Sequence, residues 1–324
     1  MSAFGIHPDW ADVGGWPGVE TSSDPNDELF GDLVEPVSLE DAGDFRAVLV
    51  GEPYDGAVIG RRGARAGPLE IRRALAGKKA HHFDGGPVGE VGDLGDVSSL
   101  LETDWEAEDE PVGAVQERVL ETTRAIHDCE TLPVFLGGDN SLTYPNVAPL
   151  LETGSVGCLN LDAHLDVREV REDATSGTPY RQLLEDGLDA YTCVGARHFE
   201  TSSVYHDYLR EQGGEVVTAE EVGDDPVTAA EVALEAMSDV ETLYVSVDLD
   251  VLEASAAPGV SAPTPGGITT RELFRVLRLF AADERIAGLE VVECAPPLDR
   301  DGLTSDAAAR AIAHFLSGYE VARR

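Results

Sequence analysis

Val156-Gly157-Cys158-Leu159-Asn160-Leu161 runs directly into Asp162-Ala163-His164-Leu165-Asp166. Side chains on an extended chain alternate faces, so the spacing of two sets Asp162, His164 and Asp166 on one side at the end of an apolar strand. A second run, Leu243 to Val247, ends likewise in Asp248-Leu249-Asp250. If the two strands are neighbours, five potential ligands converge. Four carboxylates at the mouth of a buried sheet repel one another strongly unless cations neutralise them. Mostly oxygen donors with one imidazole suit Mn²⁺ better than Zn²⁺, with Fe²⁺ or Co²⁺ as alternatives. Two such ions sharing carboxylates activate water near neutral pH, which is hydrolase chemistry.

The same rhythm extends outward from this stretch. Apolar runs at Ala47 to Val50, Pro133 to Leu136, Ser155 to Leu161, Tyr191 to Val194, Glu215 to Val217, Leu243 to Val247 and Ile286 to Val292 read as strands. Amphipathic segments between them, such as Val112 to Cys129, Val227 to Met237, Thr270 to Ala282 and Ser305 to Leu316, read as helices. Alternation of this kind predicts an α/β fold, three layers of α-β-α around a mainly parallel central sheet. Residues 1–44, rich in Gly, Pro, Asp and Ser, read as an N-terminal arm packed on the surface, and 45–324 as a single α/β domain. In open parallel sheets ligands bind beyond the carboxyl ends of the strands, where the acidic motifs fall.

Charge narrows the partners. Asp and Glu number 62 against 23 Lys and Arg, a formal net charge of −39, and the acidity is spread along the chain. Nucleic acid and anionic membranes would be repelled. Dispersed acidity of this degree predicts a halophilic source, where molar salt shrinks the Debye length to about 3 Å. No stretch approaches the roughly 18 apolar residues of a membrane span, and the start lacks a leader pattern, so a cytoplasmic location is expected. Cys129, Cys158, Cys193 and Cys294 lie far apart without a C-x-x-C pair, as free thiols in a reducing compartment would.

Gly137-Gly138-Asp139-Asn140-Ser141, Asp162-Ala-His-Leu-Asp166, Ser246-Val-Asp248-Leu-Asp250 and Glu293 stand in the order and spacing of the ureohydrolase superfamily, which includes arginase, agmatinase and formimidoylglutamase. The chain resembles that superfamily from about Val48 to its end. Gly63-Ala-Arg-Ala-Gly67-Pro68 and the Pro/Gly-rich stretch from Ala257 to Gly267 take part in the resemblance. It implies the arginase-like fold and a centre of two Mn²⁺ per subunit that hydrolyses a C–N bond in a guanidine or amidine. Asp162 and Asp248 would bridge the ions, Asp166 would complete one site, and His164 with Asp250 the other. Asp166 would also take the proton of the attacking water, and Glu293 would pair with the cationic amidinium. Homotrimers or hexamers are implied as well.

Two departures from the superfamily pattern matter. The motif usually reads G-G-D-H-S, and here Asn140 replaces the histidine, so the ion it helps hold is expected to bind more weakly. Ser176 stands where arginases and agmatinases carry a histidine. The Ser176-Gly177-Thr178-Pro179 pattern, with Arg168 two residues after Asp166, is most like the formimidoylglutamase branch. That branch implies N-formimidoyl-L-glutamate, a small molecule with two carboxylates, as substrate within histidine catabolism. Arg168, Ser176 and Arg197 are the expected substrate contacts. Seven basic residues cluster between Arg61 and Lys79, for substrate, for pairing with neighbouring acids or for a subunit contact. Agmatinase or another guanidino-acid hydrolase is the nearest alternative. A scaffold or regulatory protein that lost catalysis with Asn140, and a single-metal amide hydrolase, are alternatives of other classes.

Overall fold

A computed structural model of the chain describes residues 2–12, 14–18, 22–101 and 110–324. Twelve strands occur among them: β1 (Phe4–Gly5), β2 (Val34–Pro36), β3 (Ala47–Gly51), β4 (His81–His82), β5 (Gly86–Pro87), β6 (Val91–Val97), β7 (Leu132–Leu136), β8 (Val156–Leu161), β9 (Ala190–Ala196), β10 (Glu215–Thr218), β11 (Thr242–Asp248) and β12 (Ile286–Val292). Ten of them form one sheet in the order β1-β6-β3-β7-β12-β11-β8-β9-β10, with β2 also on β6. Only β1 runs antiparallel, and β4 with β5 makes a separate ribbon.

Why these runs are apolar throughout follows from their surroundings. Leu49, Val134, Leu159 and Leu161 pack on one face beneath the helices Gly67–Ala76, Pro226–Glu235, Thr270–Ala281 and Leu303–Ala322. Val48, Val50, Phe135 and Cys158 point to the other, beneath Val112–His127, Pro179–Glu185 and Ser203–Glu211. Both faces are covered, so alternating residues are apolar in both directions, as in a three-layer fold.

The stretch expected as a surface arm is tied into the sheet edge. Phe4 and Gly5 pair with β6, Val34 to Pro36 pair with β6, and Trp10, Trp16 and Phe30 are buried. Strand β6 itself carries a buried cation site. The fully buried Arg72 guanidinium holds Asp93 through Nε and Nη2, both at 2.9 Å, and Asp96 through Nη1 at 2.5 Å, while Trp16 Nε1 also donates to Asp93. Trp105 lies outside the described residues.

Topology places the site. The chain builds outward from β3 to β6, returns to β7, then skips two places to β8 and builds the other half. Later β11 and β12 fill the gap. The carboxyl ends of β7, β12, β11 and β8 thus lie side by side at the point where strand order reverses, the crevice where open α/β sheets bind ligands.

Candidate active site

Each of those four strand ends delivers one element of the acidic motifs. After β7, Gly137 and Gly138 carry the chain to Asp139 and Asn140. A Cβ on Gly138 would stand 1.8 Å from the Tyr54 carbonyl oxygen, so only glycine permits this approach. Asp139 is fully buried. It accepts from Ala57 N at 2.8 Å and from Ser141 N and Oγ, which pins the loop after β3 against the end of β7. Burial pushes its carboxyl up to about 6 against these hydrogen bonds.

After β8 the chain is not a straight continuation of the strand. Asp166 has a φ of 47° and breaks the extended run. The three residues therefore do not form the single row that their spacing predicts; they divide into two groups. Asp162, His164 and Asp250 bring one ligand atom each within 4.8 Å of one another, and so do Asp162, Asp166 and Asp248. Asp162 belongs to both groups, as a bridging ligand would. Asn140 joins the second group, with Nδ2 donating to Asp166 Oδ2 at 2.5 Å.

Strand β11 ends in Asp248, whose Oδ1 accepts from Asp250 N at 2.8 Å as a short helical turn begins. Strand β12 is followed by Glu293, 3% exposed. Its Oε1 accepts from Asn140 N at 3.1 Å, and its Oε2 has no hydrogen-bond partner. Glu293, like Asp166, is a non-glycine residue in the left-handed region, with φ 63°. Such backbone costs on the order of 1–3 kcal/mol per residue and collects at functional sites.

The electrostatics call for cations. Burial raises the Asp166, Asp248, Asp250 and Glu293 carboxyls, and their mutual repulsion adds to it. His164 answers with its own charge: burial alone would lower its pKa, but hydrogen bonds to Asp162 and Asp250 outweigh it and lift the imidazole to about 12. Nδ1 lies 3.1 Å from Asp250 Oδ2 and 3.4 Å from Asp162 Oδ1. An imidazolium among four aspartates is an incomplete substitute. Two divalent ions would balance the four charges, and the oxygen-rich donor set with one imidazole fits Mn²⁺.

One cavity is lined by His164, Asp166, Asp248, Asp250 and Glu293 together with Arg168, Ser176 and Gly177. The Arg168 guanidinium makes no ion pair among the described residues. Ser176 Oγ accepts from Ile59 N at 3.2 Å, which leaves its proton available to a ligand. Arg197, the third expected contact, is buried close to the site. Only 7% exposed, it lies against Gly267 with Nη1 donating to Leu252 O at 3.4 Å, while Nε and Nη2 have no hydrogen-bond partner. Its charge acts on Asp250, opposing the rise of that carboxyl. Most of the basic cluster between Arg61 and Lys79 pairs with neighbouring acids: Arg65 with Asp55, Arg72 with Asp93 and Asp96, Arg73 with Glu70, Lys78 with Asp306 and Lys79 with Asp27.

Sequence reasoning missed Thr143 and Glu290, which lie directly behind Asn140. The available signal was a glutamate inside the otherwise apolar run of β12.

A sequence profile described as the Arginase family matches residues 45–318. The chain belongs to the arginase family. Within it, the chain is similar to a formimidoylglutamase of Halobacterium salinarum, 56% identical over 303 residues, or 92% of this chain and 96% of the relative. Its fold is similar to the crystal structure of formimidoylglutamase from Bacillus subtilis, with a TM-score of 0.82 and 29% identity, covering 92% of this chain and 94% of that one. A crystal structure of Trypanosoma cruzi formiminoglutamase with Mn²⁺ superposes with a TM-score of 0.79 at 26% identity, covering 91% and 99%. The arginase-family fold agrees with the three-layer, mainly parallel architecture expected from the strand and helix pattern. No helix among the described residues is long and apolar enough to cross a membrane.

Proposed function

We propose that this arginase-family member is a manganese-dependent formimidoylglutamase, converting N-formimidoyl-L-glutamate and water to L-glutamate and formamide. The observation that carries this reading is that one cavity brings together opposite charges: Glu293, with an unpartnered oxygen, and the aspartates share its lining with Ser176 and with Arg168, whose guanidinium makes no ion pair among the described residues. A cationic amidine attached to a dicarboxylate offers a partner of opposite charge to both Glu293 and Arg168. Agmatine and arginine match Arg168 less well, because agmatine has no carboxylate and the arginine carboxylate carries an ammonium beside it. The similarity to the Halobacterium salinarum and Bacillus subtilis proteins supports the same substrate.

Asp162, Asp248, Asp250 and His164 would hold one ion, and Asp162, Asp248, Asp166 and Asn140 a second, weaker one. When bound, such a pair lowers the pKa of water toward neutrality. Asp166 accepts the proton of the attacking water and returns it to the departing amine. Glu293 holds the amidinium through a charge-assisted contact, so that the planar carbon is presented to the aspartate cluster. Arg168 binds a substrate carboxylate, and the Ser176 hydroxyl donates to the same end. Homo-oligomeric assembly, a cytoplasmic, salt-rich setting and a place in histidine catabolism complete the reading.

The assay is product release with Mn²⁺ present. Formamide from formimidoylglutamate is expected, and urea from agmatine or arginine alone would overturn the assignment. Arg168→Ala is expected to raise KM roughly 10- to 100-fold with kcat little changed, because a charged hydrogen bond worth about 1.5–3 kcal/mol is lost equally from ground and transition states. A fall confined to kcat would remove Arg168 from substrate binding. Asn140→His should tighten Mn²⁺ at the second site by tenfold or more, on the order of 1.4 kcal/mol. Equal affinities at both sites of the unaltered enzyme would contradict the weaker-site reading.

A further inference from the structure

Behind Asn140 lies a fully buried polar cluster that the proposed reaction does not use. Thr143 stands one helical turn along, and its Oγ1 lies 2.7 Å from Asn140 Oδ1 and 2.5 Å from Glu290 Oε1. Glu290 sits in the middle of the central strand β12, fully buried, with Leu289 and Val291 as apolar neighbours. Its other oxygen accepts from Asn146 Nδ2 at 3.0 Å and Tyr244 Oη at 3.1 Å. No cation pairs with it among the described residues. Burying a carboxylate without a cationic partner is costly, so hydrogen bonds alone hold this one in place.

The contacts of Thr143 cannot all be made at once with Glu290 ionised. A hydroxyl carries one hydrogen, yet both Asn140 Oδ1 and Glu290 Oε1 lie in position to accept it. The nitrogen and oxygen of an amide are interchangeable by rotation. With the Asn140 amide turned, Nδ2 donates to Thr143 Oγ1, the hydroxyl donates to Glu290, and Oδ1 faces Asp166. The single hydroxyl hydrogen then has a single acceptor. The turned oxygen would confront Asp166 Oδ2 and the Ser176 carbonyl, two acceptors that Nδ2 contacts at 2.5 and 3.2 Å. Only a cation between them makes that arrangement favourable.

We propose that Thr143, anchored by Glu290, is a positioning residue that turns the Asn140 amide so that its oxygen, not its nitrogen, is offered to the second metal ion. The inference rests on the reading of Asn140 as a ligand. An imidazole at position 140 would need no such orientation of an amide, so the chain from Glu290 through Thr143 is the device that makes asparagine serviceable there.

The test is Mn²⁺ titration by calorimetry on chelator-stripped enzyme, with the electron paramagnetic resonance signal of a coupled Mn²⁺ pair as a second readout. Thr143→Val should weaken the second ion about 10- to 100-fold, the usual scale for residues that orient ligands, and leave the first unchanged. Thr143→Ala, which removes both γ atoms where valine keeps the shape, carries the same expectation, and Thr143→Ser should restore affinity and pair signal. In an Asn140→His background, Thr143→Val should cost less than threefold. The proposal fails if Thr143→Val and Thr143→Ala bind both ions like the unaltered enzyme, or if Thr143→Val costs as much with histidine at 140 as with asparagine. Unaltered enzyme that binds fewer than two ions would overturn the two-ion reading itself, and this inference with it.

Discussion

Asp248→Asn is expected to lower kcat/KM for formimidoylglutamate by about 10³-fold or more, at least ~4 kcal/mol of transition-state stabilisation, while making the metal-free protein more stable. The opposite signs come from one side chain. Asp248 is buried at the end of β11, and burial followed by the charges of Asp250, Asp162 and Glu293 raises its carboxyl. Asparagine keeps the same shape and can still accept from Asp250 N, so the turn after β11 survives. What disappears is one negative charge from a crowded group. Without ions that relieves repulsion; with ions it removes a ligand from the set with Asp162 and Asp166. Thermal unfolding of the stripped variant, run beside the activity assay, separates this outcome from simple misfolding. A stripped variant less stable than the stripped parent would show that Asp248 is structural.

Much of this was legible because the strands that carry chemistry are the buried central ones. Their runs are largely apolar on both faces and stop abruptly at Gly137, Asp162, Asp248 and Glu293, where the motifs begin, so motif and strand end coincide. The sequence reading was poorer where polarity is internal to the fold. Strand β6 reads Val-Gly-Asp-Leu-Gly-Asp-Val, and its two aspartates look like loop residues until Arg72 is seen between them. Glu290 and Thr143 escaped for the same reason. Their partners lie on β7's following turn and on β11, and nothing local marks them. The surroundings of Arg197 were not legible either, because its contacts with Leu252 and Gly267 join it to segments more than 50 residues away in sequence.

Removing the ions should destabilise the protein more as pH rises. Asp139, Asp166, Asp248, Asp250 and Glu293 all have carboxyls raised above their ordinary range, chiefly by burial, and His164 is lifted to about 12. A group whose folded pKa exceeds its unfolded value binds more protons when folded, so its stabilising contribution is complete below the unfolded pKa and is lost as pH climbs through the folded one. For the carboxyls that loss begins near pH 4 and passes about 6 for Asp139. For His164 it begins near 6.5 and has the same sign. Stripped protein should therefore lose melting temperature steadily between pH 5 and 8. Mn²⁺ competes with those protons, so its affinity should rise over the same interval and binding should release protons. At a thousandfold excess over Kd each ion contributes about 4 kcal/mol, and the gap between loaded and stripped melting temperatures should reach on the order of 10 °C by pH 8. Measurements belong at fixed, high KCl, because the net charge of −39 makes dilute buffer destabilising in its own right. A melting temperature unaffected by strong chelation at pH 8, with turnover retained, would mean that the aspartates at these strand ends are not a metal site at all.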